Sequence, residues 1–248
     1  RKPPLARNFA PSANFTGVLQ DERVRKALDN TFYFVLVGIP LTMVLGRAVA
    51  VALKSGIEKF RSVFRVGVYT PVVTSIVAVA VVWRFILQDS GLVNTVLGWV
   101  GIDGPDWLND STWAMPSIIL MAAWRNMGTL MIIFLAGLQA IPRDVYEAAE
   151  VDGAGSWRRF RSITVPLMRP TLLLGAVLLS VGFLQVFEEP FVMTKGGPVN
   201  STLTISYYVY NQFGYGNYAF ASAAAYVLFA LIAALAAVQF RLLRSKED

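Results

Sequence analysis

The chain has neither cysteine nor histidine in its 248 residues. The first absence excludes disulfides, thiol nucleophiles and thiolate metal sites. The second removes imidazole acid–base chemistry and histidine-ligated metals. Charge is scarce as well. Only 15% of residues are Asp, Glu, Lys or Arg, against about a quarter in an ordinary soluble domain. None of the six lysines belongs to a G-x-x-x-x-G-K-S/T loop, so no ATP site of its own is recognisable. What is present is apolar: 55% of the residues are hydrophobic, gathered in long runs.

Five runs have the length of a membrane-crossing helix, at 31–53, 67–88, 114–139, 170–193 and 219–240. Pro40, Gly46, Pro71, Gly128 and Gly175 fall inside them, which packed membrane helices tolerate. The fold class expected is an all-α integral membrane protein. With the C-terminus inside, twelve Lys and Arg fall in the inner loops and seven in the outer segments. That bias favours this orientation. Loop 89–112 agrees, with four Asp and no Lys or Arg. Basic inner loops also account for the net charge of +6 without a nucleic-acid partner. The six basic residues before position 31 are the misfit, and the first residue is Arg1. Both lead to the expectation of an earlier span ahead of this sequence. Residues 1–30 are then an external segment and 31–248 the transmembrane domain. Arg47 and Arg84 lie near span ends and are expected to snorkel.

Between the third and fourth runs stands a polar insert, "YEAAEVDGAGSWRRFRSITVPLMRP", residues 146–170. Residues 142–152 read as a short helix, with Pro142 in its first turn and Asp144 at its positive end. Val145, Ala148, Ala149 and Val151 form its apolar side. Gly153 can stop it in the left-handed conformation. Ser156 can cap a second helix, and Pro166 is expected to end that helix. Its arginines alone need no more than the positive-inside rule.

The spacing says more. Glu147-Ala148-Ala149, three residues, Gly153, nine residues, Ile163-Thr164-Val165-Pro166 resembles the EAA loop of ABC importer permeases, E-A-A-x3-G-x9-I-x-L-P, with Val165 in place of Leu. At average composition the six matched residues coincide at roughly one start in ten million. "NFTGVLQDERVRKALDNTFYF" is similar to the outer segment and second-helix start of the sugar-type permeases. "GLVNTVLGWVGIDGPDWL" is similar to their outer loop, and "LAGLQAIPRDVYEAAEVDGAG" to their helix leading into the EAA loop. "QVFEEPFVMTKGGPVNSTLT" resembles a stretch common in carbohydrate and glycerol-phosphate importers, with Lys195 where Gly or Asn is more usual.

The resemblance implies a six-helix permease core of which five helices lie in this chain, plus a cytoplasmic helix–turn–helix within loop 140–169. It implies a second permease subunit, two ATPase subunits that bind ATP and Mg, an external solute-binding protein and a bilayer. The chain itself would hold no cofactor or metal and catalyse no covalent step. The setting it implies is a bacterial or archaeal cytoplasmic membrane. Coupling to the ATPase would fall to Glu147, Ala148, Ala149, Asp152, Gly153, Ile163 and Pro166.

A solute path needs polar groups at membrane depth, where ionisable side chains are functional candidates. Arg125 lies mid-run, with Asn126 and Thr129 close by on the helix. Glu188 and Glu189 lie toward the outer end of 170–193, with Gln185 one turn deeper. Amides and carboxylates suit sugar hydroxyls, and an aromatic suits the apolar sugar face. Trp124, Arg125, Asn126, Thr129, Gln185 and Glu188 are therefore the path candidates. Arg125 can instead pair with Glu188 and hold two helices together. The alternative at the level of function is a self-sufficient secondary carrier, which needs a coupling-ion site and ideally paired repeats. No clear repeat is visible.

Overall fold

The computed structural model describes residues 11–55 and 61–244. The start of the expected external segment, residues 1–10, and Lys59 and Lys246 of the basic inner set lie outside them. Among the described residues all regular structure is helical. Three helices are long and apolar enough to cross a membrane: α2 (Glu22–Ser55), α6 (Ala114–Gln139) and α13 (Tyr218–Arg244). Two bent pairs bring the number to five if each is one span.

Helix α1 (Pro11–Gln20) precedes α2, which is capped by Asp21: its carboxylate accepts the Arg23 N–H at 2.8 Å. Thus α2 begins nine residues before the expected span at 31, and the boundary between external segment and membrane domain falls inside a helix. At 1.5 Å per residue, its 34 residues reach roughly 51 Å, well beyond a hydrocarbon core of about 30 Å.

The expected span 67–88 is not one helix. Helices α3 (Arg61–Val73) and α4 (Ile76–Ile86) meet at 100°. The residues between and before explain the bend. Pro71 lies inside α3, where its missing N–H loosens the turn that leads into the bend. The hydroxyls of Thr70 and Thr74 bond back to the carbonyls of Val66 and Thr70, at 2.7 and 2.8 Å, which loosens a helix. Ser75 then turns extended, with ψ 126°.

The expected span 170–193 is also broken. Helix α10 (Arg169–Leu184) stops, and a short α11 (Glu188–Met193) starts afresh. Pro190 accounts for this. In a continuous helix its ring would meet the Val186 carbonyl, whereas in the first turn of a new helix its missing N–H costs nothing. The freed, buried Val186 carbonyl accepts the Thr204 hydroxyl at 2.8 Å.

Helix α6 is the centre, with 14 of its 26 residues buried, because α2, α3 and α10 all pack on it. Gly46 lets α2 come close: a Cβ there would stand 2.6 Å from the Leu130 Cβ. Helix α13 packs on α10 and on α12 (Ile205–Gly214). The connections sort to two ends. At one end, the Asn30 amide donates to the carbonyls of Asn200 and Leu203 at 2.8 and 2.9 Å. Beside it the Thr31 hydroxyl accepts the Ile205 N–H at 3.1 Å. Tyr208 donates to the Asp21 carboxylate at 2.7 Å. Burial, and then this bond, pushes the Tyr208 phenol above its ordinary range. At the other end lie the close of α2 and the polar insert.

Candidate functional site

The insert folds as two helices at a sharp turn. Helix α7 (Arg143–Val151) has Pro142 at its N-cap and Asp144 in its first turn. Its end is closed by two bonds: Gly153 N–H to the Glu150 carbonyl at 3.0 Å, and Ala154 N–H to the Ala149 carbonyl at 2.9 Å. This Schellman closure needs a left-handed residue, and Gly153 has φ +71°. The Glu150 and Arg159 side chains form an ion pair across the turn. The Tyr146 and Thr164 hydroxyls meet at 2.9 Å.

The second helix corrects two expectations. Gly155, not Ser156, is the N-cap, and no side chain caps it. Pro166 does not end it. Helix α8 (Ser156–Arg159) continues through a π turn at Phe160–Thr164 into α9 (Val165–Leu167), and the chain bends by 62° only before α10. The wider turn makes room for the Pro166 ring, which would otherwise press on the carbonyl four residues back.

The apolar side expected for α7 is uncovered. Val151 is 88% exposed, and Ala148 is exposed beside Glu147 and Asp152. Trp157 of α8 is 71% exposed. Ala149, Ile163 and Pro166 are half-buried.

The second set of candidates gathers where α6 meets the two broken spans. Helix α11 packs on α4 and α6, and α3 packs on α6. Trp124 lies against Trp83 of α4, with ring centres 5.5 Å apart. Arg125 reaches the Val72 carbonyl in the last turn of α3, at 3.4 Å, and its Nε is buried without a partner. The C-terminal carbonyls of a helix lack partners of their own, so a guanidinium there is favourable. The expected pair of Arg125 with Glu188 is absent. Glu188 is exposed, and its neighbour Glu189 is buried and within electrostatic reach of Arg125. The reason is the break before Glu188, which resets the rotation of α11. The same break takes Gln185 off Glu188's helix, so it is not one turn deeper on a common face. The Asn126 amide nitrogen donates to the Ala122 carbonyl of its own helix at 2.8 Å, so its Oδ1 is the group it can offer. Thr129 is half-buried one turn from Arg125.

Sequence reasoning missed Trp83, and it missed an aromatic group around the break, where Phe187 stacks on Phe191 at 5.2 Å and meets Tyr210 at 5.0 Å. The run "QVFEEPF" carried the only signal, an aromatic on each side of a carboxylate pair. Lys195 has φ 53°, a left-handed position that accounts for Gly or Asn being the more usual residues there.

Comparison with known proteins agrees with this architecture. The family described as "Binding-protein-dependent transport system inner membrane component" matches residues 31–246. The lactose transport system permease protein LacF of Rhizobium radiobacter is 35% identical over 245 residues, covering 96% of this chain and 82% of that protein. The trehalose/maltose transport system permease protein MalF of Thermococcus litoralis is 33% identical, covering 97% and 83%. A crystal structure of a bacterial alginate ABC transporter, in complex with an alginate pentasaccharide-bound periplasmic protein, superposes with a TM-score of 0.81. That match is at 28% identity and covers 94% of this chain and 82% of that one.

Proposed function

The chain belongs to the family of binding-protein-dependent transport system inner membrane components, and we propose that it is a membrane subunit of an ATP-driven importer for a sugar or sugar-like solute. It works in the cytoplasmic membrane of a bacterium or archaeon. A second, non-identical permease subunit completes the path. Two ATPase subunits bind ATP and Mg, and an external binding protein delivers the solute. Residues 1–30 lie outside, 31–248 form the transmembrane domain, and loop 140–169 faces the ATPases.

The bend between α3 and α4 carries this reading. Val73, Thr74 and Ser75 are all exposed there, and Val73 is 71% exposed. Irregular backbone does not face lipid; it must be covered by protein or line a water-filled cavity. A partner permease on this side, with the solute passing between, meets both conditions. Trp124 and Trp83 offer a flat apolar surface to a sugar ring, and Arg125, Asn126, Thr129, Gln185 and Glu188 offer polar groups for hydroxyls. At the far end, the uncovered side of α7 around Glu147, Ala148, Ala149, Asp152 and Gly153 seats on an ATPase, and Ile163 and Pro166 set the helix behind it. Permeases for lactose and for trehalose/maltose among the relatives support the solute class.

Reconstitution tests the proposal. The complete complex in vesicles, loaded with ATP, is given its binding protein and a panel of sugars and amino acids. Uptake of a sugar that requires both ATP and the binding protein is expected. Uptake driven by an ion gradient, without the ATPases, would establish the carrier reading instead.

A further inference from the structure

Arg47 does not snorkel. Its guanidinium lies over the Phe160 ring, 4.5 Å from the centre, and its Nε and Nη2 are buried with no hydrogen-bond partner. The ring face is thus the contact that compensates a partly desolvated cation. Phe160 opens the π turn of the insert's second helix and stacks on exposed Trp157 at 5.5 Å. Arg47 follows Gly46, where α2 sits against Met127 and Leu130 of α6. Those residues are within two turns of Arg125.

From this juxtaposition we infer that Arg47 and Phe160 are a positioning pair for energy coupling. They tie the polar insert to α2, and through the Gly46 contact to α6, so that a push on the insert moves both helices as one body. Covalent connection alone does not do this. The insert joins α6 and α10, and the described residues of α2 end far from it in sequence. The inference rests on the insert being the ATPase-coupling element.

The test is a double-mutant cycle in the reconstituted complex. Its readout is solute transported per ATP hydrolysed, measured after equal assembly has been verified. Arg47→Met and Phe160→Leu should each lower this ratio by roughly three- to tenfold, the factor a partly covered cation–π contact represents. The double variant should be no worse than either single one, since both remove the same contact. Arg47→Lys and Phe160→Trp keep a cation and a π face, and each should hold most of the ratio, which a purely steric role for these side chains would not give. If Arg47→Met fails to assemble, the comparison of Phe160→Leu with Phe160→Trp carries the test. Gly153→Val separates the two levels. A Gly153→Val defect beside wild-type behaviour of Arg47→Met and Phe160→Leu overturns the pair and leaves the coupling role of the insert intact. Additive losses also overturn the pair. Wild-type behaviour of Gly153→Val removes the coupling role, and the inference with it.

Discussion

Gly153 separates two physical demands that the same turn could make. Its φ of +71° is hostile to side chains, yet a Cβ there would meet nothing within 4 Å in this chain. The cost of substitution within the subunit is therefore conformational rather than steric. A non-glycine residue in the left-handed region pays about 1–2 kcal/mol, a β-branched one more, and Asn least. Two restraints oppose loss of the turn. The exposed Glu150–Arg159 pair is worth about 0.2–1 kcal/mol. The Tyr146–Thr164 hydrogen bond is worth about 0.5–1.5 kcal/mol. Restraint and penalty are of the same size, so the turn is not over-determined. The expected order of transport per ATP is Gly153, then Gly153→Asn, Gly153→Ala and Gly153→Val. The assay is transport alongside binding-protein-stimulated ATP hydrolysis in vesicles. Side-chain crowding against an ATPase would instead rank by size, with Ala ahead of the larger Asn. That result would refute the conformational argument. Wild-type coupling by all three would remove the turn from the mechanism.

Three further outcomes are expected. In intact cells, an impermeant thiol reagent should label Val199→Cys, which is 89% exposed at one end, and spare the exposed Ser156→Cys at the other; the reverse pattern inverts the topology. Arg125→Met should reduce assembled complex, and adding Glu189→Gln should restore it, because no uncompensated buried carboxylate remains; equal rescue by Glu188→Gln would dissociate Arg125 from Glu189. Asn30→Ala strands the Leu203 carbonyl at the latch, whereas the Asn200 carbonyl keeps the Leu203 N–H, and should lower stability by about 1–3 kcal/mol, read as a fall in the midpoint of thermal unfolding in detergent; an unchanged midpoint sinks the latch.

The parts of this architecture that were legible are those that obey local rules. Apolar runs locate α2, α6 and α13, because bilayer thickness fixes their length. Gly153 reads as a turn because one backbone conformation suits glycine best. The bends at Thr74–Ser75 and Gln185–Phe187 were illegible for a different reason. A proline inside a membrane run is compatible with an unbroken helix, as Pro40 demonstrates in α2. Whether a run breaks depends on who receives the carbonyls left over, and those partners are remote: Thr204 for Val186, four residues before Pro190, and Arg125 for Val72, at the end of α3. The Arg125–Glu188 pair is absent for a like reason, since it needs one helix phase through residues 185–189. Arg47 reads as a snorkelling residue near a span end because no sequence pattern announces a ring 113 residues away.

The two breaks differ in a way that bears on function. The break after α10 is finished within the chain: the Val186 carbonyl is buried and bonded, and the residues beyond it form a latch with α2. The break between α3 and α4 is not. Apart from local bonds within its own turns, it is met from α6 by Arg125 at 3.4 Å, and Val73, Thr74 and Ser75 stay exposed. Equal chemistry at both sites would predict equal closure, since an unpaired backbone group in hydrocarbon costs several kcal/mol. The difference means that the α3–α4 bend is completed by something outside the chain, whether protein or water, whereas the other is structural. On the proposed reading, this places the solute path on the side of α6 that carries Trp124 and Arg125.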